Sequence, residues 1–521
     1  MLTSNGDNPI LTNSPGFPNP DVEAAGIGAR AAPRRGDWLA SQAERNPHRL
    51  ALSDDGRQWD FAALHHDVTR LAGYLWARGI RPGDRVALRL PAGANAIRLT
   101  LASIRIGAVI VPVNLRLSEE ELEAILMDAD PALVVGSDGG RTSSSRSIIP
   151  MAEFLATKPA AVVPGDPDPD RVAALVYTSG TTGRPKGVEL TLSNIWWSAV
   201  SSARYLGTLG ADRWLLLLPL FHTSGLSIVF RGVILGHGVV VQPRFEPASA
   251  LGALERQRIT LVSVVPTMLR RLLEVSEGPP PASLRLVLVG GAGAPPSLLQ
   301  AAADRKWPVS PTYGLTETAS QVATLRPDDF RRQRTSAGRV IPPTRIAIAV
   351  NGHPNPAPET VGEIWIKGPT VSPGYWRDPR RTAATFSDGW LKTGDIGMMG
   401  ADGYLTVLDR AKDLIITGGE NVYPHEVESA LAATGLVQDA GVFAEPDPVW
   451  GERIAAAIVA ARPSGPHQLY SALAPHLARY KWPKAFYLVP AIPRTPSGKV
   501  KRHLLPELVR RDGRILGEGQ A

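Results

Sequence analysis

Cysteine is absent from this 521-residue chain, which excludes disulfides, thiolate metal sites and a cysteine nucleophile. A thioester made here would take its sulfur from a cosubstrate. The chain also lacks a clear membrane-spanning run. The uncharged stretch Trp214–Phe230 contains Pro219, His222, Thr223, Ser224 and Gly225, so it reads as a buried strand and a ligand-lining loop. Residues 1–35 carry no signal-peptide apolar core and read as a disordered tail, with the cytoplasm as the expected location. The formal net charge of +7 suits anionic ligands such as nucleotides, but the arginines are dispersed and no basic stripe forms, so nucleic acid is not expected as a partner. With 44% hydrophobic and 20% charged residues the composition is that of a globular protein, and the length asks for at least two domains.

Between Trp38 and about Asp138, helical and strand-like segments alternate. The pattern predicts a helix over 61–78, a strand over 85–90, a helix over 95–106 and a strand over 109–113. That rhythm predicts an α/β fold whose large N-terminal domain holds mostly parallel sheets covered by helices. Residues 139–170, rich in Ser, Pro and Gly, read as a surface excursion around a short helix. Further on, Trp390–Asp395 reads as a tight turn carrying an Asp, and 404–408 as a strand. A glycine-bearing hairpin over 414–424, a helix over 426–431, strands near Ala440 and Ala455 and a helix over 470–478 predict a small α+β C-terminal domain.

The stretch that organises the chain runs from Leu175 to Glu189. A short buried strand, Val172 to Tyr177, breaks into Thr178, Ser179, Gly180, Thr181, Thr182 and Gly183, then Arg184, Pro185 and Lys186. Glycines let the backbone approach a ligand, and successive N–H groups in such a turn make an anion-binding concavity. The hydroxyls add donors, and Lys186 adds a positive charge suited to phosphate. Pro185 and Gly187 on either side of the lysine exclude a Walker loop. Taken alone, the string is also compatible with a plain connector between strands.

The full string resembles the phosphate-binding signature of the acyl-adenylate-forming superfamily, which includes acyl-CoA synthetases, adenylation domains and luciferases. Later motifs stand in that family's order from about Trp38 to Leu508. Tyr313-Gly-Leu-Thr-Glu317 resembles its adenine and metal site, which implies that Tyr313 covers adenine, Thr316 binds phosphate and Glu317 holds Mg²⁺ on the phosphates. The small residues Gly290 to Ala294, Gly291 among them, would let a flat ring lie against backbone, though tight helix–strand packing explains them equally. Asp395 matches the family's ribose-binding Asp. Asp409-Arg-Ala-Lys-Asp413 resembles the hinge, with Arg410 on the ribose side and Lys412 at the pivot, and implies domains over 36–408 and 409–521. Lys499, in Pro493-Arg-Thr-Pro-Ser-Gly-Lys499, has the setting of the catalytic lysine, and Gly418 and Gly419 that of the CoA channel.

The implied reaction is ligation of a carboxylic acid to CoA at the expense of MgATP, through an acyl-adenylate. Three stretches, 219–231, 261–269 and 312–321, resemble the branch that activates o-succinylbenzoate for menaquinone biosynthesis. That acid keeps a second carboxylate. Arg231, on an apolar helix, would then be its partner, with His222 and Gln321 as further polar contacts. Local pattern alone favours an arginine that snorkels to the surface or pairs with a structural carboxylate. Another aryl- or fatty-acyl-CoA synthetase is the alternative, as is an enzyme that loads a separate carrier protein. Intact Lys186, Glu317, Asp395, Arg410 and Lys499 argue against a nucleotide-binding protein without catalysis. A homo-oligomer is left open.

Overall fold

The computed structural model describes residues 37–143, 145–156, 168–178, 185–291, 294, 296–330, 332–333, 336–355, 357–410, 415–422, 424–493, 500 and 502–518. Two sheets of fifteen and seven strands come from residues up to 410, and a third of six strands comes entirely from 415–518. The chain is therefore a large N-terminal α/β domain followed by a small α+β domain.

In the seven-stranded sheet, Arg85–Arg89, Val109–Pro112, Leu133–Gly136, Ser147–Pro150 and Val172–Thr178 run parallel. Val109–Pro112 and Leu133–Gly136 are buried at every position, as strands covered on both faces require. Helix Phe61–Ala77 turns Leu64, Val68, Leu71 and Leu75 into the core, and Asp60 caps it by accepting the Ala63 N–H. The excursion expected over 139–170 is partly structural: Gly140–Arg141 and Ser147–Pro150 extend the sheet before helix Met151–Ala156.

The fifteen-stranded sheet departs from the parallel expectation halfway across. Arg213–Leu216, Gly238–Val241, Leu261–Val264, Leu286–Val289 and Val309–Leu315 pair in parallel. From Val309–Leu315 onward, through Ser320–Thr324, Gly338–Val340, Tyr404–Arg410 and Trp390–Met399, every pairing is antiparallel. The single turn Thr316–Thr318 plus Ala319 joins the first two of these, far too short for a parallel crossover.

Two further expectations are corrected. Asp395 lies inside strand Trp390–Met399, not on a tight turn. Gly394 does take φ +74°, but the ladder continues past it. The helix predicted over 470–478 is Pro466–Leu473. Pro466 is pre-set for a first turn, and Pro475 has no N–H to extend the ladder. Among the described residues no helix is long and apolar enough to cross a membrane.

Candidate active site

The hairpin of Val172–Thr178 with Lys186–Thr191 pairs Thr178 with Lys186, so both stand at the mouth of the glycine-rich loop. Ser179, Gly180, Thr181 and Thr182 lie outside the described residues. The Thr178 hydroxyl is buried, with no hydrogen-bond partner among the described residues. Such an orphan is costly unless a ligand satisfies it.

Lys186 Nζ donates to Glu317 Oε1 at 2.7 Å and to the Tyr375 hydroxyl at 3.0 Å, and that hydroxyl donates to the same carboxylate oxygen at 2.8 Å. Glu317 sits on the one-turn helix Thr316–Thr318, beside half-buried Thr316, and is only 7% exposed. Burial pushes its pKa up, but the Lys186 ammonium and the hydrogen bonds outweigh burial and hold it below the ordinary carboxylate value. Burial and the neighbouring Glu317 carboxylate raise the Tyr375 phenol. No group of three or more His, Cys, Asp or Glu side chains forms a metal cage among the described residues. A lone carboxylate beside a phosphate loop fits a magnesium ion that keeps its waters and arrives on nucleotide phosphates.

Tyr313 and Asp395 meet directly: the phenol donates to Asp395 Oδ2 at 2.7 Å, with both residues buried. Strand register places Arg410 opposite Asp395. Gly291, at φ +82°, is exposed, and a Cβ there would sit 3.4 Å from Val265.

Of the residues expected to meet the acid, Arg231 lies on helix Thr223–Leu235, His222 directly precedes that helix, and Gln321 lies on strand Ser320–Thr324. Arg231 is 2% exposed, so it does not snorkel. Its Nη2 donates to Gln321 Oε1 at 3.1 Å and to Ser320 Oγ at 3.4 Å, and the guanidinium lies 5.1 Å from the Trp214 ring centroid. Its Nε is buried without a partner, and no salt bridge involves Arg231 among the described residues. Burial lowers its pKa to about 10, so it stays cationic at neutral pH. Gln321 is braced by donating to Thr324 Oγ1 at 2.9 Å. Next to this group is a narrow cleft of about 10 Å³, lined by Ser198, Thr223, Leu226, Ser227, Phe230 and Ala319. Ser227 links the two through Ser320 Oγ at 3.5 Å.

His222, at the start of the same helix, does not line that cleft. Its Nε2 lies 3.1 Å from Glu420 Oε2, in the hairpin Ile415–Val422 of the small domain. Burial raises the Glu420 pKa, but His222 and Arg116 outweigh it and hold the carboxyl down at about 2. Gly418 and Gly419, at φ +59° and +82°, form the tip of that hairpin. A Cβ on Gly419 would meet Val265 of the large domain at 2.9 Å, and one on Gly418 would meet the Trp450 ring at 2.6 Å. Lys412 and Lys499 lie outside the described residues.

The fold thus unites Thr178, Lys186 and Glu317, then Tyr313 with Asp395, then Arg231 with Gln321. The sequence reading missed Tyr375, Glu420 and the hydroxyls of Ser227 and Ser320. Glu420 follows the two glycines directly and could have been flagged there, whereas Tyr375 carries no local signal.

A family model described as AMP-binding enzyme matches residues 39–376, and one described as AMP-binding enzyme C-terminal domain matches residues 426–499. A curated relative named 2-succinylbenzoate–CoA ligase, from Bacillus pumilus (strain SAFR-032), is 39% identical over 476 residues, which span 90% of this chain and 97% of the relative. Among solved structures, a double mutant of o-succinylbenzoate CoA synthetase from Bacillus subtilis bound with its product analogue OSB-NCoA aligns with a TM-score of 0.87. It is 38% identical, and the alignment covers 92% of this chain and 99% of that one. The synthetase from the same organism in complex with ATP and magnesium ion aligns with a TM-score of 0.70 at 37% identity, covering 90% and 99%.

Proposed function

The chain belongs to the AMP-binding enzymes, and from that premise we propose that it is an AMP-forming acid–CoA ligase whose acid is 2-succinylbenzoate, acting in menaquinone biosynthesis. The observation that carries the substrate is Arg231: a buried cation with an unused N–H, beside a cleft, and with no carboxylate partner among the described residues. A buried charge without a counter-ion is costly, and an acid that brings a second carboxylate would compensate it.

On this reading the substrate's aliphatic carboxylate attacks the α-phosphorus of MgATP, pyrophosphate leaves, and an acyl-adenylate forms. CoA thiolate then attacks the acyl carbon and AMP departs. Two anions must meet in the first step, so catalysis is chiefly positioning and charge stabilisation. Lys186 and Glu317 hold each other in the present arrangement. With MgATP bound, Lys186 would pair with phosphate and Glu317 would hold the magnesium ion, so both charges would keep a partner. We assign Thr178 and the loop after it to the phosphates, and Asp395 to the ribose hydroxyls. Arg410 joins it on the ribose side, and Lys499 bridges carboxylate and α-phosphate.

The small domain would turn about a hinge near Lys412 between the two steps. Agreement with the product-analogue complex is better than with the ATP complex at nearly equal identity, which supports reading the present arrangement as that of the CoA step. Gly419 then becomes a test. Alanine there would be strained at φ +82° and would press on Val265 only while the hairpin is docked. Gly419→Ala should slow thioester formation from preformed acyl-adenylate roughly tenfold and leave ATP–pyrophosphate exchange almost unchanged. Equal losses in the two assays would remove Gly419 from the CoA step.

The function itself is tested by CoA-thioester formation with MgATP. Purified protein is offered 2-succinylbenzoate, benzoate, coumarate or a medium-chain fatty acid separately. Preference for 2-succinylbenzoate is expected. Preference for another acid would keep the ligase chemistry and discard this substrate.

A further inference from the structure

We propose that Lys481 is a positioning residue for the CoA step, its ammonium latching the small domain onto Glu121 of the large domain. This rests on the two-step reading above. Lys481 lies in the short turn Arg479–Lys481, and its side chain is 5% exposed. Nζ reaches Glu426 Oε1 at 2.5 Å within the small domain and Glu121 Oε1 at 2.9 Å across the interface. Both carboxylates are largely buried, at 12% and 13% side-chain exposure.

What makes this a latch is how each partner is held when the other leaves. Glu121 Oε2 accepts the Ser118 N–H at 2.9 Å and the Ser118 hydroxyl accepts the Glu121 N–H at 3.2 Å, a capping box that fixes the carboxylate at the start of helix Glu119–Ala129. Glu426, on helix Pro424–Ala433, travels with Lys481. Of the bonds that Lys481, Glu121 and Glu426 make here, separation of the domains therefore breaks only Glu121–Lys481, and it leaves neither an uncompensated ammonium nor an uncapped helix. Docking is pre-organised for the same reason, since Glu121 is already oriented.

The geometry also explains why a cation is required. Docking brings Glu121 and Glu426 to the same ammonium, and one Glu426 oxygen has no hydrogen-bond partner among the described residues. Burial alone would lower the Lys481 pKa; Tyr480, Glu426 and Glu121 outweigh it and hold the ammonium above its ordinary value. Without that charge the two carboxylates would repel in a poorly solvated place. Neighbouring contacts converge from the same large-domain stretch. Asn114 Nδ2 donates to the Tyr480 hydroxyl at 3.4 Å, Arg116 lies 4.5 Å from the Tyr480 ring centroid and pairs with Glu420, and His476 Nδ1 lies 2.5 Å from Glu120 Oε2. Arg116 thus ties the latch to the hairpin that carries Gly418 and Gly419.

The test separates the half-reactions. Glu121→Gln keeps the capping box, because a glutamine oxygen accepts the Ser118 N–H equally well, but removes the charge that faces Lys481. It should slow thioester formation from preformed acyl-adenylate roughly tenfold, with acyl-adenylate formation changed by less than about twofold. Lys481→Met, which leaves two buried carboxylates facing each other, should slow the same step by roughly a hundredfold. Equal loss in both half-reactions, or none in the CoA step for Glu121→Gln, overturns the latch. A second readout needs no turnover. Because the chain has no cysteine, Met127→Cys on the large domain and Ser471→Cys on the small one, both exposed, can carry spin labels. With AMP and CoA present, Glu121→Gln should broaden or lengthen the single distance population. An unchanged distribution would also overturn the proposal. Failure of the wild-type protein to use 2-succinylbenzoate would instead strike the substrate reading and leave the distance test standing.

Discussion

Arg231→Ala should lower kcat/KM for 2-succinylbenzoate by roughly a hundredfold or more, while a monocarboxylic analogue of similar shape loses only a few-fold. Truncating one member of a buried charge pair costs roughly 2–5 kcal/mol, or about thirty- to several-thousand-fold, largely because the partner charge is left unpaired. Here that partner would be the substrate's own benzoate carboxylate. The substitution also frees Gln321 and Ser320 and opens space beside Trp214, so some loss common to every acid is expected. The ratio between the two acids is therefore the decisive number. Arg231→Lys adds a second arm: it keeps the charge but loses the planar fork that reaches Gln321 and the ligand together, so partial recovery is expected. Equal losses for diacid and monoacid would identify Arg231 as a structural residue stacked on Trp214.

How much of this was legible in advance depends on whether a residue's role is local. Thr178, Lys186 and Glu317 stand at strand ends and in one-turn segments whose glycine and hydroxyl content betrays them, and the fold brings them together. Tyr375 could not be read this way. Its place beside Glu317 comes from a long-range approach, in which Tyr375 bridges to Val188 and Trp376 N–H donates to the Gly187 carbonyl. Nothing in Gly374-Tyr375-Trp376 announces that pairing. His222 shows the opposite case. Its motif was visible, but its partner is a small-domain carboxylate, and no periodicity reports on how two domains meet. The antiparallel half of the large sheet escaped for a related reason. Short apolar runs give strand positions, whereas strand direction follows from connection length, and the boundaries that set it are the least legible feature of a sequence.

Lys499→Ala should reduce acyl-adenylate formation by roughly a hundred- to a thousandfold and spare CoA transfer from preformed acyl-adenylate. Lys499 lies outside the described residues, so the argument runs through its chain neighbours. Val500, directly after it, is buried in a small-domain core with Phe443, Tyr487 and Leu505, and Ile492 shortly before it belongs to the same cluster. Two residues beyond Val500, Arg502 pairs with both oxygens of Glu428, at 2.9 and 2.8 Å. These anchors tie Lys499 to the small domain, so any rotation that docks the Gly418–Gly419 hairpin against Val265 carries the lysine along. A lysine that must bridge two anions in the first step is then free to be absent from the second. Removing one pre-organised donor from developing phosphoryl charge accounts for the size of the first loss. Pyrophosphate exchange reads the adenylation step, and single-turnover transfer from synthetic acyl-adenylate reads the other. Comparable losses in both would mean that Lys499 serves the whole cycle, and the division of labour between the two domain arrangements would have to be abandoned.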